Sequence, residues 1–160
     1  MKSKNEIFIT VIAFLLIVLF TAAALSKLIA YHAFYVQLHA TPLLKSFAGI
    51  LAWLLPATEL YAVILLLIPS RQKTGMILSL ILMLLFSLYI SLMLLFADKL
   101  PYSCGGVIQM LTWPQHLLFN IAFTLLSVLG IFLIRNREIE SHLEDIEEYL
   151  SRKSGEAENL

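Results

Sequence analysis

The sequence predicts an all-α membrane protein, a four-transmembrane-helix bundle followed by a short cytoplasmic amphipathic C-terminal helix. Two observations carry this reading. The chain is 60% hydrophobic and 14% charged over 160 residues, where a soluble domain is about half apolar and about a quarter charged. The charges are also segregated: between Ile7 and Ile134 the only acids are Glu59 and Asp98. A surface that meets acyl chains needs no charge, so the chain reads as an integral membrane protein with the lipid bilayer as its first partner. The formal net charge is zero and no basic cluster exists, which sets nucleic acid aside. One cysteine excludes an internal disulfide and a cysteine-based zinc site. His32, His39, His116 and His142 are scattered without ligand spacing, so no metal is expected.

Four apolar runs define the spans: 7–28, 43–68, 74–96 and 116–134. Each is near the ~20 residues that cross the hydrocarbon as a helix. The runs are continuous rather than alternating, which favours helices over a barrel, the other structure that satisfies its backbone in lipid. Residues 1–137 thus form the membrane domain and 138–160 a tail.

The first run follows Lys2 and Lys4 and contains Ala22-Ala23-Ala24, which also fits a signal peptide with a small-residue cleavage site. The run continues past the alanines to Leu28, which favours a retained span. Next, Tyr31, Phe34, Tyr35 and Leu38 recur near helical spacing among His32, Gln37 and His39. Such a segment suits the interface, either as a flat helix or as an extension of the first span. Thr41-Pro42 marks a turn, because the residue before proline avoids helix.

Inside the second span stands Glu59, three residues after Pro56. A charge at mid-membrane costs ~3 kcal/mol or more, so it is paired, protonated or beside water. Three readings stay open: a Lys27–Glu59 pair that sets the register of two helices, a proton or quinone site, or a protonated Glu59 bonded to Ser26 or Tyr61. In the third span Ser79, Ser87, Tyr89 and Ser91 read as packing residues that bond back to the helix.

Between the third and fourth spans, Pro101-Tyr102-Ser103-Cys104-Gly105-Gly106 reads as a tight turn. Gly105 and Gly106 permit positive φ and bare backbone N–H groups near the sulfur, which favour thiolate. Trp113 and Pro114 mark re-entry into lipid, and His116 and Asn120 share one helix face a turn later. His116 beside Cys104 would serve as base or charge partner; the bland alternative is an interfacial histidine and an inert thiol.

The tail carries Ile139, Leu143, Ile146 and Leu150 at helical spacing against an acidic face of Glu138, Glu140, Glu144, Asp145, Glu147 and Glu148. It reads as an amphipathic helix over 138–152 that packs on a partner or a second copy, or else as a solvated tail, with disorder from Ser154. Lys2 and Lys4, Arg71 and Lys73, and Arg135 and Arg137 fall on one face of the membrane if the chain crosses it four times. Lys27, Lys45 and Lys99 fall on the other. This bias favours both termini in the cytoplasm of a bacterium, in the inner membrane, with Cys104 in the periplasm, where thiols pair.

Ser26-Lys27-Leu28, Pro56-Ala57-Thr58-Glu59-Leu60 and Ser103-Cys104-Gly105-Gly106-Val107-Ile108 resemble, in order and spacing, the MauE branch of the DoxX-like membrane proteins, named for methylamine utilisation. The run Trp113 to Asn120 is similar to the close of that pattern, and the likeness spans 7–134. The resemblance implies a redox-associated role in periplasmic disulfide formation or in maturation of a partner protein, a thioredoxin-like one included. Members often carry Cys-x-Cys in the loop, and here Tyr102 holds the first position. One thiol forms only a mixed disulfide with another molecule, so an autonomous oxidoreductase is not expected. Three functions follow as expectations: an accessory protein acting through Cys104, a non-enzymatic membrane scaffold or assembly subunit, and a transport or quinone-binding protein centred on Glu59.

Overall fold

In the computed structural model, residues 4–41, 44–96 and 113–158 are described. They form five helices: α1 (Lys4–Ile29), α2 (Tyr31–Ala40), α3 (Ala48–Leu67), α4 (Gln72–Phe96) and α5 (Trp113–Glu158). Among the described residues there is no strand. Four helices, all but α2, are long and apolar enough to cross a membrane. The protein is an all-α, multi-pass membrane protein.

The spanning helices pack in a closed cycle, α1 on α3, α3 on α4, α4 on α5 and α5 back on α1. The core between them is Ile9, Ile12, Leu16 and Phe20 of α1, Ala62 and Leu66 of α3, Met76 and Met83 of α4, and Ile134 of α5. The outer face is equally apolar: Phe14, Trp53, Leu88, Leu118 and Phe132 are exposed. That outward band is what lipid requires, because burial inside and acyl chains outside impose the same chemistry.

Two glycines set how closely the helices approach. A Cβ at Gly75 would lie 2.9 Å from the backbone N of Leu66, and one at Gly130 would lie 2.9 Å from Met76 Sδ. Small residues at such crossings let backbones meet. In α4, Ser79 Oγ donates to Gly75 O at 2.8 Å and Ser91 Oγ to Ser87 O at 2.8 Å.

The segment after α1 is a separate helix rather than a simple extension. Ala30, at φ −99° and ψ 36°, breaks the ladder, while its carbonyl accepts from Phe34 N at 3.0 Å and starts α2. Phe34 and Leu38 of α2 then bury against Ala48 and Ala52 of α3. Thr41, extended at φ −85° and ψ 117°, ends α2 just before Pro42.

The second span, expected over 43–68, consists among the described residues of a 3₁₀ turn at Lys45–Phe47 and the α-helix Ala48–Leu67. The fourth span and the tail are one 46-residue helix rather than two, and it continues through the stretch from Ser154 expected to be disordered, as far as Glu158. Arg135, Asn136 and Arg137 change the polarity of the surface but supply no helix breaker, and no proline follows Pro114. Gly155 costs only about 1 kcal/mol inside a helix. At 1.5 Å per residue α5 is about 70 Å long, more than twice the ~30 Å hydrocarbon. Its tail therefore projects beyond any bilayer that the bundle crosses.

Candidate functional site

Lys27 and Glu59 are brought together inside the bundle. Lys27 Nζ lies 2.7 Å from Glu59 Oε1. Lys27 is in the last turn of α1, and its long stem carries the ammonium back toward the bundle interior, where it also donates to Ala23 O at 3.3 Å. The charge sits over two rings, Phe86 of α4 at 5.3 Å and Phe34 of α2 at 5.9 Å from the centroids. Ring faces attract a desolvated cation and replace part of its lost hydration.

Glu59 is wholly buried, with a relative exposure of 0%. Pro56 precedes it by one turn inside α3 and supplies no N–H to the Ala52 carbonyl. Ser26 Oγ donates to Ala23 O, and Tyr61 is exposed, so neither serves the carboxylate. Glu59 Oε2 has no hydrogen-bond partner among the described residues. A buried carboxylate oxygen left in that state is costly, and such exceptions call for an explanation.

The pair borders a cavity of about 580 Å³, to which all five helices contribute. Among the described residues its wall is apolar except for a few groups: Lys27, Glu59, Gln37, Tyr89, His116 and Asn120. Asn120 is buried and His116 half-buried, one turn apart on α5. Phe119 and Phe123 continue that face, their ring centroids 4.6 Å apart. The Tyr89 hydroxyl is 3.4 Å from Thr41 Oγ1, linking α4 to the end of α2. The polar lining lies toward the end of the bundle at which α1 and α4 finish and α3 and α5 begin.

Of the residues singled out from the sequence, Lys27, Glu59, His116 and Asn120 line this one cavity. Trp113 is the first residue of α5. Cys104, Gly105 and Gly106 lie outside the described residues. Phe34, Phe86, Gln37 and Tyr89 were not recognised as site residues. Tyr89 read as packing, and an aromatic in an apolar run carries no periodic sign that separates a cavity wall from a lipid face. Among the described residues no three His, Cys, Asp or Glu side chains cluster to hold a metal.

At the opposite end, Lys73 of α4 pairs with Glu138 of α5 on the surface. The first acid of the tail is thus tied to the bundle, while Ile139, Leu143, Ile146 and Leu150 remain exposed.

Comparison with known proteins gives one relationship. A family profile described as methylamine utilisation protein MauE matches residues 5–133, all four spans and the connecting loops. No curated protein and no solved structure matches the chain. With the greater part of its length inside that profile, the chain belongs to the MauE family.

Proposed function

We propose that this MauE-family protein is a redox-associated accessory factor of the bacterial inner membrane. It exchanges a disulfide with an extracytoplasmic partner, or supports that partner's maturation, through Cys104. The observation that supports this reading is the polarity of one end of the bundle. Lys27, Glu59, His116 and Asn120 gather in the half where α4 ends and α5 begins, and residues 97–112, which hold Cys104, join those two helices. His116, in the first turns of α5, is the nearest titratable residue to Cys104 along the chain on the α5 side.

In the exchange, the Cys104 thiolate attacks one sulfur of a partner disulfide. A Cys104–sulfur bond forms, the partner's sulfur–sulfur bond breaks, and the second partner sulfur leaves as thiolate. No net oxidant is consumed, and the step suits a chain with one cysteine. His116 would take the thiol proton before attack. A thioredoxin-like protein fits as the partner. Both termini lie in the cytoplasm, on the side that carries Arg71, Lys73, Arg135 and Arg137.

A non-reducing gel of membranes from cells quenched with acid tests this. A reductant-sensitive adduct that disappears in Cys104→Ser is expected. Undiminished function in Cys104→Ser, with no adduct in the wild type, would overturn it.

A second reading is favoured by the tail: a scaffold without redox chemistry. The exposed stripe of Ile139, Leu143, Ile146 and Leu150, backed by an acidic face, is a surface for another protein or a second copy. Under that reading the tail, and not Cys104, is required for association.

A further inference from the structure

We propose that the cavity beside Glu59 binds the head of a neutral, ring-bearing, lipid-soluble molecule that donates a hydrogen bond to Glu59 Oε2, a phenol or hydroquinone. The inference goes beyond the thiol exchange and does not depend on Cys104.

Four observations on the cavity define the ligand. Its volume, about 580 Å³, falls in the range of ~300–1,000 Å³ usual for small-molecule sites. Glu59 is fully buried, Oε1 is held by Lys27 at 2.7 Å, and Oε2 is unpartnered among the described residues. A carboxylate paired with an ammonium is an acceptor only, so the missing group must be a donor. Lys27 and Glu59 neutralise each other, and among the described residues no other acid, lysine or arginine lines the wall. A charged ligand would bring an uncompensated charge into an apolar space, so the head group is neutral.

The shape of the wall supplies the ring. Phe20, Phe34, Phe86, Tyr89, Phe119 and Phe123 border the space, and aromatic side chains pack a planar ring by offset or edge contacts. Asn120, buried on the α5 wall, offers both a donor and an acceptor for a second oxygen on the ring. A hydroquinone satisfies both poles. The corresponding quinone has only acceptors, and its carbonyl would face the lone pairs of Glu59 Oε2. The site therefore prefers the reduced form. Charge-assisted hydrogen bonds to such a group give a preference of at least about tenfold.

The test uses the full-length protein in lipid nanodiscs, without oxygen. Binding of trimethylhydroquinone, trimethylbenzoquinone and 1-decanol is measured by calorimetry. Saturable binding of the hydroquinone, at least about tenfold tighter than the quinone, is expected, with decanol weaker than both. Leu55→Trp adds bulk to the cavity wall while both charged side chains are kept, and should abolish binding while the melting transition persists. Glu59→Gln, whose amide donates as well as accepts, should erase the preference for the reduced form. Cys104→Ser should bind as wild type does. Equal binding of the two redox forms, or binding undiminished in Leu55→Trp, would overturn the proposal. Decanol binding as tightly as the hydroquinone would also overturn it, by assigning the cavity to a lipid alcohol.

Discussion

Lys27 of α1 donates to Glu59 of α3 at 2.7 Å, an ion pair with 11% and 0% side-chain exposure inside the bundle. It joins the two helices at a depth where neither charge has a full hydration shell. The alternatives to pairing are expensive, because an uncompensated charge would remain in an apolar interior. The pair therefore fixes the register of α1 against α3, whatever else the cavity beside it does.

Breaking the pair from one side should hurt more than removing it. Lys27→Met or Glu59→Leu alone is expected to cost about 3–5 kcal/mol, and the double variant distinctly less. Unfolding in mixed micelles measures all three against wild type. Additive single effects would show that the two charges do not couple.

The two close helix contacts should respond differently to one methyl group. Gly75→Ala pushes a Cβ onto the backbone of Leu66, which cannot yield, and should lower stability by about 1–3 kcal/mol. Gly130→Ala meets the Met76 side chain, which can rotate away. Both changes gain about the same helix propensity, roughly 1 kcal/mol, so the difference in melting temperature isolates the contact. Equal shifts would contradict the assigned packing.

The tail should be dispensable for the bundle. Its side chains from His142 to Ser154 are exposed, so a chain ending at Ser141 keeps the Lys73–Glu138 pair and should melt within about 0.5 kcal/mol of wild type. If the scaffold reading holds, the same truncation abolishes co-purification of a partner or a second copy. A shortened chain that still associates would remove the tail from consideration.

Much of this was legible in the sequence, for reasons that differ from element to element. The spans stand out because lipid tolerates few charges, so the expected runs 7–28 and 74–96 fall within α1 (Lys4–Ile29) and α4 (Gln72–Phe96). Lys27 and Glu59 stand out for the same reason, as charges set among apolar residues. The unbroken course of α5 was not legible: Arg135 to Arg137 mark a change of solvent, and a helix has no cause to end where its solvent changes. Nor was the cavity. Phe34, Phe86 and Tyr89 are ordinary residues of apolar helices until the packing of α2 and α4 sets them in one wall, the two phenylalanines beside Lys27. The Lys73–Glu138 pair was hidden too, since charges at helix ends read first as signals of sidedness.

The most direct measurement is labelling of Cys104 in intact cells with a membrane-impermeant maleimide. A Ser141→Cys, Cys104→Ser variant reports the other side of the membrane. The account predicts that Cys104 reacts before lysis and that the cysteine at 141 reacts only after it. Labelling of Cys104 only after the membrane is opened would place the thiol in the cytoplasm and contradict the proposed exchange.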